Sequence, residues 1–218
     1  VSRIIRALDH FIAGYPDDGA CDEGPGYWFH AAGSLLDCLE LLYYATNGAI
    51  NVFDQPLIRK MGAYIYGMQI AGEWVVNFAD APARTNLGGP LIFRYGKAIG
   101  CSRMMRFAAQ GQTELGKGVG GKCLSRALSG LFVLPEMQHT TPETPLPREM
   151  WWENRQILVA RDREGDTSGF FLAAKGGHNG ESHNHNDVGQ FIVFLDGQPL
   201  LIDAGVETYT RQTFSPDR

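Results

Sequence analysis

The sequence predicts two architectures in succession: a helical part of stacked αα-hairpins, then an antiparallel β part of sandwich type. Three observations carry this. Apolar residues recur at helical spacing up to about residue 133. Between 134 and 151 the pattern collapses around Pro135, Pro142, Pro145 and Pro147. Short apolar runs bounded by Gly, Asp and Asn then take over. The expected divisions are therefore 1–133 helical, 134–151 a proline-rich linker, and 152–218 the start of the β part.

The helices follow in order. Ile4, Leu8, Phe11 and Ile12 make one stripe, and Gly14 is a stop signal. Leu35, Leu36, Cys38, Leu39, Leu41, Leu42 and Tyr43 belong to a helix apolar almost all round, which predicts burial on most sides. Asp54 is placed to cap a third helix, with Pro56 in its first turn and Leu57, Ile58, Met61, Ile65 and Met68 following. Leu91, Ile92, Tyr95 and Ile99 continue the series, then Met104, Met105 and Phe107, then Leu124, Ala127, Leu128 and Leu131. No repeat recurs at a fixed period. The strands are 156–160, 169–174, 191–195 and 200–202, and Asp196-Gly197 marks a hairpin between the last two.

Chemistry concentrates in three stretches. The loop 15–28 joins Asp17, Asp18, Asp22 and Glu23 to Tyr15, Tyr27 and Trp28, and is too glycine-rich to read as helix. It is either an interhelical loop with carboxylates near a helix N-terminus, or a sugar cleft in which aromatic faces stack on pyranose rings and a carboxyl group binds hydroxyls. The segment 73–84 sets Asn77, Asp80 and Arg84 in apolar surroundings around Phe78. The third stretch, 176–187, runs straight into a strand and holds His178, His183 and His185. On extended backbone His183 and His185 would share a face, with Asn184, Asn186 and Asp187 beside them, as at the mouth of a metal or catalytic site. Asp203 ends an apolar strand, as a cap, a turn residue or a ligand.

Composition narrows the function classes. A net charge of −5 argues against a nucleic-acid partner and leaves room for a local cleft that binds an acidic polymer. No apolar run approaches a membrane span. The four cysteines, Cys21, Cys38, Cys101 and Cys123, lack zinc-ribbon spacing and neither require nor forbid disulfides. The chain begins inside an amphipathic helix without a signal peptide and ends just after a motif, so it reads as a piece of a longer protein. Its oligomeric state is not legible.

The run His183-Asn184-His185-Asn186-Asp187-Val188-Gly189, then Asp196-Gly197, Leu201-Ile202-Asp203-Ala204-Gly205-Val206, Tyr209-Thr210, Phe214-Ser215 and Arg218, resembles the heparinase II/III-like polysaccharide lyases. Asp22-Glu23-Gly24-Pro25-Gly26-Tyr27-Trp28 resembles a second segment of that family, in the expected order. The resemblance implies an incomplete α/α toroid followed by a truncated antiparallel β-sandwich. It implies a secreted or periplasmic enzyme that cleaves a uronate-containing acidic polysaccharide, of heparin, heparan sulfate, alginate or related type, by β-elimination. It casts His183 and Glu23 as catalytic. It places Tyr27, Trp28, Asn77, Arg84 and Tyr209 at the substrate, and His185 and Asp203 on a structural zinc whose third ligand lies beyond residue 218. The proton-transfer tyrosine of such lyases is expected near 73–84, where Phe78 is the nearest aromatic, with Tyr64 and Tyr66 upstream. The histidine or asparagine that partners the uronate carboxylate is missing just before Glu23, where Ala20, Cys21 and Asp22 stand. Two alternatives stay open: a glycoside hydrolase on an α/α scaffold using Asp22 or Glu23 as its acid, and a catalytically silent carbohydrate-binding relative.

Overall fold

The computed structural model describes residues 2–111, 123–181, 183, 185, 188–206, 208, 210 and 211. Helices α1 (Ser2–Gly14), α2 (Pro25–Trp28), α3 (Ala32–Ala45) and α4 (Pro56–Gly67) come first. A short antiparallel pair, β1 (Gln69–Ala71) and β2 (Trp74–Val75), interrupts the helices. Then come α5 (Pro90–Ala98), α6 (Ser102–Ala108), α7 (Leu124–Leu131) and α8 (Leu134–His139). Strands β3 (Glu149–Trp152), β4 (Ile157–Arg161), β5 (Phe170–Lys175), β6 (Phe191–Leu195) and β7 (Gln198–Leu201) form one antiparallel meander in sequence order. Helices followed by an antiparallel sheet is thus what the periodicity predicts.

Local chemistry explains most boundaries and corrects several. Proline opens α2, α4 and α5 and is the second residue of α8, positions where its missing N–H costs no intrahelical bond. The acid loop contains the one-turn α2 despite its glycines. Asp54 does not cap α4; Gln55 takes the N-cap position and Asp54 pairs with Arg59 at 2.8 Å. Helix α3 buries Leu35, Leu36 and Leu39 but leaves Leu41 and Tyr44 exposed, so it is not covered on most sides. The stretch 134–151 holds α8 at its start and the first residues of β3 at its end. Asp196 and Gly197 both have positive φ (51° and 73°), the type I′ geometry that suits the right-handed twist of β6 and β7.

One hydrophobic core runs through both parts. The inner face of the sheet (Trp152, Ile157, Val159, Phe171, Ala173, Ile192 and Phe194) joins Met68, Ile70, Val75 and Phe78 of the helical part. Edge-to-face rings cross the junction at Tyr64–Trp152 (5.4 Å) and Trp74–Phe194 (5.6 Å). Arg161 is buried on the same face. It donates to the carbonyls of Gln69 (2.9 Å), Ile70 and Pro147 and lies over the Phe171 ring, and burial pushes its guanidinium down to about 10. All four cysteines are free. Among the described residues, no helix is long and apolar enough to cross a membrane.

Candidate functional site

Three loops meet at the junction, and their backbones explain how. Gly24 (φ 86°) follows Glu23 and lies directly on the 78–81 segment: a Cβ there would be 2.7 Å from the Ala81 Cβ and 2.8 Å from the Phe78 carbonyl oxygen. Ala79 holds φ at 57°, a left-handed conformation costing an alanine about 1–2 kcal/mol. That reversal comes directly before Asp80, whose carboxylate is buried with 6% of its surface exposed. Strain of this kind persists where surrounding packing over-determines it.

Asp80 is the hub. Its Oδ2 lies 2.9 Å from His183 Nδ1 and its Oδ1 lies 3.2 Å from His185 Nε2. Glu23 Oε2 stands 3.5 Å from His183 Nε2, and the Tyr27 ring centroid is 6.5 Å from that of His183. His183 does not continue a strand. Its φ of 54° is left-handed, so the expectation of extended backbone is corrected. The two imidazoles converge because one carboxylate binds both, not because they alternate along a strand. An ionised Asp80 can only accept, so a neutral His183 carries its proton on Nδ1 and presents the Nε2 lone pair on the Glu23 side. The half-exposed ring can then take a proton from a bound molecule.

A partly buried ion network underpins both loops. Arg155, in the β3–β4 turn, grips Asp22 through two bonds of 2.6 Å, and its Nη1 is 4.0 Å from Glu181. Glu181 in turn pairs with Lys175 at 2.9 Å. Asp22 precedes Glu23 and Glu181 lies two residues before His183, so the network fixes the two site-bearing loops to one another. Both oxygens of Asp22 are therefore engaged by one guanidinium.

Other anticipated residues fall elsewhere. Trp28 is fully buried, donates its indole N–H to the Met61 carbonyl (2.8 Å) and packs on Tyr95, so it is core and cannot stack on substrate. Arg84 pairs with Glu73 and lies over Trp74 on the β1–β2 hairpin; none of its recorded contacts is to the histidines. Asn77 is buried behind the cluster, its amide 3.5 Å from the Asp203 carbonyl. The Asp203 Oδ1 accepts from the Gly205 N–H at 2.7 Å. Tyr209 lies outside the described residues. Phe78 is buried. Tyr64 donates its hydroxyl to the Cys21 carbonyl inside the core, where burial pushes its pKa well up, so it is no base. Tyr27, partly exposed beside His183, is the described tyrosine with a ring contact to that imidazole.

Asp80 is the residue whose role sequence reading missed. The available signal was a lone acid between Ala79 and Ala81 in an apolar run, which marks a buried carboxylate in need of partners without naming them. Among the described residues, the group whose ligand atoms could surround a metal is Glu23, Asp80 and His183, all within 4.8 Å of one another. His185 and Asp203, which the resemblance implies as zinc ligands, belong to no such group of three among the described residues.

No protein-family model matches the sequence. No curated protein matches it either. Among solved structures, 17 chains match. One is a crystal structure of heparinase III, with a TM-score of 0.61 over 94% of this chain at 16% identity. The present chain spans 30% of the length of that protein. Likeness at this identity is likeness of fold, and the chain has a heparinase-like fold.

Proposed function

We propose that this chain carries the active-site part of a polysaccharide lyase that cleaves a uronate-containing acidic polysaccharide by β-elimination. The observation that supports this most is Asp80 holding two imidazoles by its two oxygens while the far nitrogen of His183 faces Glu23. In this reading the helical part is a piece of an α/α toroid and the sheet is the first layer of a β-sandwich, with the substrate crossing their junction.

Elimination needs a base for the proton at C5, α to the uronate carboxylate, and an acid for the departing C4 oxygen. His183 Nε2 takes the C5 proton. The electrons of that C–H bond form the C4–C5 double bond, the C4–O bond breaks, and the Tyr27 hydroxyl donates a proton to the leaving oxygen. Asp80 accepts the Nδ1–H and stabilises the imidazolium formed in the step. Glu23 binds a sugar hydroxyl at the rim. Tyr27 thereby fills the tyrosine role that Phe78 and the buried Tyr64 cannot. A polymeric substrate of this kind goes with a periplasmic or extracellular address.

The structural zinc belongs to the same proposal. His185 and Asp203 are its donors from this chain, and its chemistry there would be to fix the loop; a zinc site needs a further ligand. The elimination step does not pass through it. Two variants of the intact protein test the division of roles. His183→Ala lowers turnover about 10²-fold or more with zinc content and melting temperature unchanged. His185→Ala loses zinc and stability together, because binding energy at a structural site is folding energy. The reverse pattern, in elemental analysis and thermal unfolding, reverses the assignments; a metal-free native protein removes the zinc.

A further inference from the structure

Helix α2 carries Tyr27, the proton donor of the reading above, yet it is a single turn and too short to hold its own shape. Its start is fixed by Gly24 against Phe78 and Ala81, and its last residue is the buried Trp28. Its exit is held from α7, a helix that carries no residue of the histidine cluster. Arg126 donates from Nη1 to the carbonyl of Phe29, the residue that caps α2, at 3.0 Å. We infer that Arg126 is a positioning residue for the elimination: through the Phe29 carbonyl it sets the exit of α2, and with it the place of the Tyr27 hydroxyl beside His183. The inference rests on the lyase reading and on Tyr27 as its acid.

The guanidinium is built into this place. Its Nε and Nη2 lie 2.8 and 2.7 Å from one carboxylate oxygen of Asp37, and Nη2 also donates to the Ser34 hydroxyl at 3.2 Å. The other oxygen of Asp37 accepts from Arg94 at 2.8 Å. Arg94 is itself buried and pairs with Glu40 as well. Asp37 is thereby held in place, and in turn it fixes the plane of Arg126. Ser34 lies in the first turn of α3, where the helix dipole favours an anion, so a cation gains nothing from α3 itself. What it gains beyond Asp37 is the carbonyl that ends α2.

The path from Arg126 to Tyr27 is short. The Tyr27 carbonyl accepts from the N–H groups of His30 (2.8 Å) and Ala31 (3.0 Å), and Phe29 lies inside that turn. A shift of the Phe29 carbonyl therefore moves the backbone that bears Tyr27. Misplacement of a reacting group by about 1 Å costs up to about 10²-fold, so the effect belongs in kcat rather than in binding. A lysine keeps the charge beside Asp37 but lacks the fork that reaches Asp37, Ser34 and the Phe29 carbonyl together.

The test compares two leaving groups. The intact protein, Arg126→Ala, Arg126→Lys, Tyr27→Phe and the double variant Tyr27→Phe/Arg126→Ala are assayed on the uronate polymer and on a uronide with fluorine at C4. In the fluoro substrate the C5 proton goes to the base and the C4–C5 double bond forms. Fluoride departs with the C–F electron pair, and no proton from Tyr27 is needed. Arg126→Ala should lower kcat on the polymer about 10-fold to 10²-fold, with KM and turnover of the fluoro substrate changed by less than about threefold. Arg126→Lys should fall between parent and Arg126→Ala, and it carries the same comparison if the alanine variant does not fold. In the Tyr27→Phe background Arg126→Ala should cost nothing further on the polymer, because the two residues act as one unit. Undiminished kcat, an equal loss on both substrates, or a fully additive loss in the double variant overturns the inference and leaves the lyase. A fully active Tyr27→Phe protein overturns Tyr27 as the acid and this inference with it. A parent protein that eliminates neither substrate overturns the lyase reading itself.

Discussion

Asp80→Asn lowers turnover on the cleaved polysaccharide by about 10²–10⁴-fold, with KM little changed. The size follows from what the substitution removes. An asparagine keeps the shape but can turn its NH₂ toward His183, which would then hold its proton on Nε2, the nitrogen that must accept one. The imidazolium formed in the step also loses its counter-charge. In the Ser-His-Asp triad, the analogous change costs about 10⁴-fold in kcat. Asp80 does not touch substrate in this account, so its loss is distinguished from loss of fold by the kcat-against-KM split and by a displaced pH–rate profile. An Asp80→Asn protein with undiminished kcat would separate the hub from catalysis.

Trp28→Ala destabilises the intact protein by about 3–5 kcal/mol in denaturant unfolding, the usual cost of removing a buried indole. Trp28 is completely buried between Phe29 and Tyr95, and its N–H satisfies the Met61 carbonyl in the middle of α4. Truncation leaves a cavity and removes the indole hydrogen bond together. Trp28→Phe, which keeps most of the volume, recovers more than half of the loss. A shift below about 1 kcal/mol for Trp28→Ala would mean that the ring stands at the surface, as a substrate-stacking residue would.

The two tryptophan readings show what sequence could and could not say. Period 3.6 followed by period 2 located the helices and strands because one face of each is buried, and that imprint is local. Pro56, Pro90 and Asp196-Gly197 carry their boundaries in their own backbone preferences. The direction in which a loop side chain points is not local. Tyr27 and Trp28 are neighbours in one aromatic loop, yet α2 turns one toward His183 and the other into the core. The site was legible for the same reason only in part. Glu23, His183 and His185 stood in recognisable runs, and the structure brings Glu23 and His183 to within 3.5 Å. Their link through Asp80 spans more than 100 residues of chain and depends on a left-handed alanine that no propensity favours. Asp54 shows the converse at small scale: a good capping residue stands one position before the cap, which Gln55 takes, and pairs with Arg59 instead.

The most direct test of the account is the identity of the product. The intact protein, and its His183→Ala variant, are incubated with uronate-containing polysaccharides, and the new chain ends are followed by ultraviolet absorbance and mass spectrometry. The account predicts an unsaturated uronate at the new non-reducing end, absorbing in the ultraviolet, without incorporation of water, and its disappearance in His183→Ala. Chain ends that carry an added water and no double bond would contradict it, and would point to hydrolysis with Glu23 as the acid instead.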